Sequence, residues 1–325
     1  VPGLPLKFFA TPIAKGSTQE KAYLHVAQQR GRNEGVGKNR LYAATMVYSD
    51  TAVQPAKTVK TEKGEYLDEE FDQEFLDLIA DDKELKDYAI KEWHTRKIIR
   101  KHPGMKIGRY DAFVKESGVK AAKINLKSMG FTEYVAKELH IDARGNVHGT
   151  KADRFVYVGN MSQFDYETTM RIWESADNAY GEYIRVFLGC PAIKVGISVL
   201  ETEVIIISSP LWNLAAYIQA MNRFIRVGGF KNTRLVKGLE QVIVHVYAFV
   251  ATFEREDDDW VGLPAPRIGD QIMTFDENVI QLAAEKQPLM DKYLYEMVKR
   301  SVTGALNAKR NSSFDIDFGA LANPD

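Results

Sequence analysis

One amide and two guanidinium side chains recur at helical spacing beyond the middle of the chain. Gln219, Arg223 and Arg226 are separated by four and three residues, so in a helix they form one stripe. An apolar stripe lies about 140° away at roughly 100° per residue. It consists of Leu214, Ile218, Met221 and Ile225. Two guanidinium forks beside an amide match the paired oxygens of a polyphosphate, whereas the alternative is a solvated basic helix face.

Two apolar runs and a glycine-containing loop precede this helix and must position it. Residues 184–188 and 204–208 are typical of buried strands, and residues 189–198 follow the first of them. A loop at the carboxyl end of a strand exposes backbone N–H groups, which suit phosphate oxygens. The other interpretation of residues 189–198 is an ordinary crossover loop.

These segments together resemble motifs V and VI of superfamily 2 helicases. The similarity is to the viral branch typified by the poxvirus nucleoside triphosphatase I and the small subunit of the poxvirus early transcription factor. Motif V is matched by residues 189–198 (GCPAIKVGIS), and motif VI by residues 219–226 (QAMNRFIR). The Trp-Asn pair that follows the next strand in that branch is matched by Trp212 and Asn213. We interpret Trp212 as a packing residue beneath motif VI.

Weaker matches extend the resemblance on the amino-terminal side. Residues 113–119 (FVKESGV) are similar to motif IV, and residues 17–23 (STQEKAY) are similar to the linker into the second motor domain. The chain departs from the family at Val195, where the family has Glu, and at Asn222, where it has Gly. The Asn222 side chain could crowd a nucleotide that approaches motif VI closely.

The resemblance implies a role for each matched polar residue. Arg226 would stabilise the charge that develops on the transferred phosphoryl group, and Arg223 and Gln219 would act beside it. The residues implied to contact the nucleotide are Gly196, Ser198 and Asn213. The residues implied to contact the nucleic-acid backbone are Ser117, Gly118, Gly189, Cys190 and Lys194.

Strand-like and helix-like segments alternate from Pro103 onward, which favours an α/β fold with right-handed crossovers. We predict a RecA-like parallel sheet with flanking helices and with helical N-terminal and C-terminal extensions. Residues 1–100 are predicted to be a linker and helical extension, residues 101–253 a second RecA-like helicase domain, and residues 254–325 a helical extension. Residues 49–65 and 140–153 are interpreted as polar loops.

Composition narrows the class of protein further. The 325 residues are 45% hydrophobic and 27% charged with a net charge of −1, so no global field draws the chain to nucleic acid or membrane. The single cysteine excludes an internal disulfide and fits a reducing intracellular compartment. No apolar run is long enough to predict a membrane span. Because the chain starts with Val1, we expect the numbering to begin inside a longer protein or after processing.

Several other chemistries are disfavoured. Residues 35–39 (GVGKN) fail as a phosphate loop, because Arg32 occupies the first glycine position and Asn39 replaces Ser or Thr. The acidic runs 68–70 and 257–259 do not end apolar strands, so they are poor Mg²⁺ sites. The six histidines lack zinc spacing, and Cys190 is more readily a structural thiol than a nucleophile.

A basic cluster is interpreted mainly as a solvated helix face, with a phosphate-tracking surface as the alternative. It comprises Arg96, Lys97, Arg100 and Lys101, with Lys106 and Arg109.

The resemblance implies the C-terminal motor half of an ATP-dependent DNA or RNA helicase or nucleic-acid-stimulated NTPase, viral and linked to transcription. ATP and Mg²⁺ would be held mainly by a preceding N-terminal RecA-like domain, so this chain alone is expected to be inactive. Implied partners are that domain, DNA or RNA, and RNA polymerase or virion proteins, with no membrane; a viral protein would work in the host cytoplasm and the virion. The alternatives are a non-catalytic RecA-like interaction module and an unrelated α/β enzyme.

Overall fold

The computed structural model describes residues 8–32, 58–60, 66–68, 79–114, 118–159, 161–190, 197–226, 228–254 and 274–300. The strands are β1 (Phe8–Ile13), β2 (Thr58–Lys60), β3 (Tyr66–Asp68), β4 (Ile107–Tyr110), β5 (Thr132–Glu133), β6 (His140–Ile141), β7 (Val147–His148), β8 (Arg154–Tyr157), β9 (Val186–Gly189), β10 (Val204–Ile207) and β11 (His245–Phe253). The helices are α1 (Thr18–Arg32), α2 (Asp82–Tyr88), α3 (Ile90–Lys101), α4 (Val119–Ser128), α5 (Gln163–Glu174), α6 (Leu214–Met221), α7 (Lys231–Lys237) and α8 (Phe275–Arg300), with one 3₁₀ turn (Ala176–Asn178).

Seven strands form one parallel sheet in the order β1-β11-β10-β4-β9-β8-β5. The central strands are continuous apolar runs, as in Val204–Ile207, because helices cover both faces of a parallel sheet. The predicted α/β architecture, a parallel sheet with flanking helices, is confirmed.

Alternate residues of each strand supply two separate cores, because successive side chains point to opposite faces. On one face, Phe187 and Ile205 pack against α5 and α6. On the other face, Leu188 and Ile206 pack against α3 and α4. The sheet is therefore packed against helices on both faces.

Segments outside residues 101–253 also pack on this sheet. The edge strand β1, which we had placed in a linker, pairs in parallel with β11. The start of α8 is tied to α3 by an ion pair of 2.6 Å between Lys91 Nζ and an Asp276 carboxylate oxygen, both fully buried. Asp276 also accepts a hydrogen bond from the Ala251 backbone N–H at 2.9 Å. The domain boundaries themselves stay a prediction.

Two segments interpreted as loops contain short strands. Residues 49–65 include β2, which pairs with β3, and residues 140–153 include the antiparallel pair β6–β7. The helical run 82–100 is divided at Ala89, whose backbone leaves helical geometry at φ −152° and ψ 77°. None of the described helices is both long and apolar enough to cross a membrane.

A buried histidine is expected to make the fold acid-sensitive. Burial, assisted by Lys97 and Lys86, lowers the pKa of His94 from 6.5 to about 4, and its Nε2 atom is buried without a hydrogen-bond partner among the described residues. Between these pH values His94 is protonated in the unfolded chain but neutral in the folded chain. The free energy of unfolding therefore falls as pH falls from 6.5 to 4. The expected loss is about 3 kcal/mol.

His94→Phe should remove this part of the acid loss while keeping a ring against Phe9 and Trp93, and His140→Phe, at an exposed position, is the control. Denaturant unfolding at a series of pH values measures the slope. An unchanged slope in His94→Phe would show that other groups cause the acid sensitivity.

Candidate functional site

The carboxyl ends of three central strands bring together residues that are distant in sequence. Strands β10, β4 and β9 are neighbours, so the segments that follow them share one edge of the sheet. The Asp111 N–H donates to the Gly189 carbonyl at 2.9 Å, and the Ser208 N–H donates to the Tyr110 carbonyl at 3.0 Å. Ligands of open parallel sheets bind at this edge. We call it the carboxyl edge.

A buried ion-pair network fixes the carboxyl edge from inside. Arg109 is almost fully buried, and its guanidinium donates to Glu92 at 2.8 Å and to both Asp111 oxygens at 3.0 Å. It also donates to Ser208 Oγ at 3.2 Å, which links β4 to β10. Burial opposes the charge of Arg109, but Asp111 and Glu92 together hold its pKa above the ordinary value. The network positions the edge and leaves Arg109 no access to a ligand.

The predicted basic cluster is therefore wrong for three of its members. Arg96 is buried and donates to Asn125 Oδ1 at 3.2 Å and to the Ile79 carbonyl at 2.9 Å. Lys106 is buried and donates to the Trp173 carbonyl at 2.8 Å. Arg96, Lys106 and Arg109 are structural cations, because each meets partners from distant segments. Lys97, Arg100 and Lys101 are exposed, as a solvated helix face requires.

Helix α6, which carries the first residues of motif VI, is shorter than we predicted. Its buried face is also rotated relative to the predicted apolar stripe. Asn213 caps α6, its Oδ1 accepting the Ala216 N–H at 2.8 Å, and the helix ends at Met221. Ile218, predicted to be buried, is 42% exposed. The residues that α6 buries are Leu214, Tyr217 and Ala220. Tyr217 is fully buried with its ring 5.3 Å from that of Phe8, so an aromatic residue takes the core position that we had given to Ile218.

Arg223 and Arg226 lie in the turns that follow α6, while Gln219 is exposed on the helix itself. Between the two arginines the buried Phe224 anchors these turns, because Gly108 in β4 has no Cβ atom to meet its ring. Arg226 is exposed, and no ion pair to it is seen in the described part of the chain. Arg223 is half-buried, and its charge acts on Tyr110, where burial raises the pKa and Arg223 lowers it.

The end of the motif V segment is joined to motif VI through the backbone. The Val199 N–H donates to the Arg223 carbonyl at 2.7 Å, and the Glu201 N–H donates to the Gly229 carbonyl at 2.8 Å. Ser198, which is half-buried, precedes the first of these contacts. The backbone next to the nucleotide-contact candidate Ser198 is thus hydrogen-bonded to Arg223, while the role of Ser198 stays a prediction.

The remaining candidates differ in their access to a ligand. Gly189 and Cys190 are buried at the end of β9, and Cys190 Sγ lies 3.6 Å from the Tyr157 hydroxyl. A nucleic-acid contact by Cys190 could therefore involve only its backbone. Ser117, Lys194 and Gly196 lie outside the described residues, as does the disfavoured phosphate loop at residues 35–39.

Gly118 starts α4 in a conformation that only glycine adopts readily. Its φ is +71° and its ψ −120°, and a Cβ atom there would lie 2.4 Å from the Phe113 carbonyl oxygen. Gly118→Ala is expected to lower the free energy of unfolding by about 1–3 kcal/mol. Gly130→Ala is the matched control, since Gly130 also has positive φ but open space around it. Equal losses in the two variants would contradict the steric explanation.

Trp212 is only partly the packing residue that we predicted. Its ring contacts Phe275 of α8 edge-on at a centroid distance of 5.9 Å, yet 47% of the residue is exposed.

Within the described residues, no group of three or more His, Cys, Asp or Glu side chains is arranged to hold a metal ion.

The chain is similar in sequence to helicases from viruses and a plasmid, while no family model matches it. It is 28% identical over 125 residues to "Putative ATP-dependent RNA helicase R563" of Acanthamoeba polyphaga mimivirus, which covers 38% of this chain and 22% of that protein. It is 23% identical over 327 residues to "Putative helicase 087L" of Invertebrate iridescent virus 3, which covers 97% of this chain and 30% of that protein. The chain spans between about a fifth and a third of the length of the curated relatives it matches.

Solved structures give distant matches. The C-terminal part of the Fun30 ATPase domain aligns with a TM-score of 0.45 at 12% identity, over 87% of this chain and 99% of that one. The Sulfolobus solfataricus SWI2/SNF2 ATPase core in complex with dsDNA aligns with a TM-score of 0.39 at 14% identity, over 75% of this chain and 40% of that one. At the coarse level, the viral relatives support a superfamily 2 helicase fold.

Proposed function

We propose that this chain is the C-terminal motor half of an ATP-dependent helicase or nucleic-acid-stimulated NTPase. The observation that carries the proposal is the backbone contact between Val199 and Arg223. It holds the end of motif V against motif VI while Arg226 stays exposed. A nucleotide lying between this surface and a preceding domain would meet an amide, a hydroxyl and two guanidinium groups.

The chemistry of each side chain at this surface determines the role that we propose for it. Arg226 contacts the γ-phosphate and stabilises charge that develops during transfer, while Arg223 and Gln219 orient the phosphates. Ser198 contributes a hydroxyl. Mg²⁺ and the rest of ATP are held by the preceding RecA-like domain.

Nucleic acid is the proposed second ligand, bound across the carboxyl edge by the loops that follow β4 and β9. Gly118, Gly189 and the backbone of Cys190 are the described candidates for this contact, and Ser117 and Lys194 are candidates outside the described residues. We further propose the poxvirus-like branch, a link to transcription with RNA polymerase or virion proteins as partners, and action in the host cytoplasm. These finer assignments depend on the motif resemblance.

The proposal is tested by measuring ATP turnover of the intact protein with and without single-stranded and double-stranded DNA and RNA. We expect Mg²⁺-dependent hydrolysis that at least one nucleic acid stimulates. Saturable nucleotide or nucleic-acid binding without any hydrolysis would favour instead the interaction module, which the replacement of the family's Glu and Gly by Val195 and Asn222 suggests.

A further inference from the structure

Helix α7, which follows motif VI, buries its polar side against the protein. Thr233 of α7 is fully buried, and the Lys237 ammonium turns in to bind Glu203 at 2.7 Å and the Gly104 carbonyl at 2.8 Å. The neighbouring Leu235 is 75% exposed, and Val236 is exposed as well. A surface helix ordinarily buries its apolar side, so this inverted helix presents a surface suited to a partner.

The apolar surface continues into the segment that follows α7 and forms one side of a cavity. Leu239 and Ile243 are exposed, the latter by 74%. A cavity of about 840 Å³ is lined by nine residues between 228 and 242, among them Leu235, Leu239 and Val242. This volume lies in the range of binding pockets. We call it the α7 groove.

Cationic side chains border the α7 groove. Lys231 and Arg234 both line the cavity and are exposed, whereas Glu240 is the acidic residue of the lining. The fitting occupant therefore combines apolar side chains with more than one carboxylate. A small apolar ligand would leave the two cations unused.

One segment of this chain has that chemistry. Residues 314–318 read Phe-Asp-Ile-Asp-Phe, and residues 311–325 contain three aspartates and no basic residue. In an extended conformation the two phenylalanines and Ile316 would lie on one side and Asp315 and Asp317 on the other. Residues 301–313 connect this segment to the end of α8. Thirteen residues can span up to about 45 Å, comparable with the width of a domain of this size.

We propose that the α7 groove binds residues 314–318 of the same chain. Phe314, Ile316 and Phe318 would cover the apolar surface of α7 and the segment after it, and the two aspartates would meet Lys231 and Arg234. Gly228 lines the same groove two residues after Arg226, so the bound segment would also contact the turn that carries this arginine. The proposal is independent of ATP hydrolysis.

The test uses the intact protein with residues 311–325 deleted and a fluorescein-labelled peptide of those fifteen residues. Fluorescence anisotropy should show saturable micromolar binding, and the undeleted protein should bind the peptide much more weakly because its own segment competes. Leu235→Asp with Leu239→Asp should weaken binding at least about 10-fold. Both positions are exposed, so folding is expected to persist; Val135→Asp, at another exposed apolar position, is the control.

A charge exchange tests the orientation independently. Arg234→Glu should weaken binding of the natural peptide, and a peptide with Asp315→Lys and Asp317→Lys should recover part of the loss. No binding at about 1 mM peptide, or binding that the groove substitutions leave unchanged, would overturn the proposal. Self-association of the undeleted protein that is lost on deletion of residues 311–325 would also overturn it, since the occupant would then be a second copy.

Discussion

Replacing Arg226 by alanine in the intact protein is expected to lower ATP turnover about 10³-fold or more. The reason is that the Arg226 side chain is exposed and forms no ion pair among the described residues, so its guanidinium is available for the charge of the transferred phosphoryl group. Nucleotide affinity should change only a few-fold, because most binding contacts would come from the preceding domain. Steady-state turnover, with ATP binding measured separately by fluorescence titration, distinguishes the two effects.

Two further variants make this result specific. Arg226→Lys keeps the positive charge but loses the planar fork, so an intermediate rate is expected. Arg144→Ala removes another exposed arginine, in the β6–β7 hairpin, and should leave turnover unchanged. A rate in Arg226→Ala close to that of Arg144→Ala would remove Arg226 from the proposed site.

Replacing Arg109 by methionine is expected to lower the free energy of unfolding of the chain by about 3–5 kcal/mol. The substitution leaves Glu92 and Asp111 as buried carboxylates without their cation, and both side chains are nearly inaccessible to water. Burial already raises the pKa of Asp111 against the opposing effect of Arg109, so in the variant this carboxyl should take up a proton more readily. The deficit relative to wild type should therefore shrink as pH falls.

The control for Arg109→Met is the triple variant that adds Glu92→Gln and Asp111→Asn. These neutral replacements keep the shapes while removing the uncompensated charges, so part of the stability should return. Denaturant unfolding followed by circular dichroism gives all three values. An exposed ion pair contributes up to about 1 kcal/mol. A loss in the free energy of unfolding below that value in Arg109→Met would show that the buried network is not what mainly stabilises the carboxyl edge.

The strands could be predicted from the sequence because buried parallel strands are short apolar runs. Val204–Ile207 and Val186–Gly189 were found within two residues of their observed starts for this reason. The short strands β2, β6 and β7 were missed because their sequences are polar and their pairing depends on tertiary contacts.

The buried charges could not be predicted, because their partners come from other parts of the chain. Arg109 was assigned to an exposed basic cluster, yet Glu92 and Asp111 surround it once α3 covers β4. One signal was available: Arg109 and Asp111 are two residues apart, which places them on the same side of an extended segment. The face of α6 was misassigned because Tyr217 competes with Ile218 for the core, and the aromatic ring fills more of it.

The central claim is that residues 197–226 form one wall of a nucleotide cleft whose other wall belongs to a preceding domain. Hydrogen exchange of the intact protein, with and without Mg²⁺, ADP and fluoroaluminate as a transition-state mimic, tests it most directly. We expect slower exchange in the preceding domain and also in residues 197–226, with the β6–β7 hairpin unchanged. Slower exchange confined to the preceding domain would contradict it.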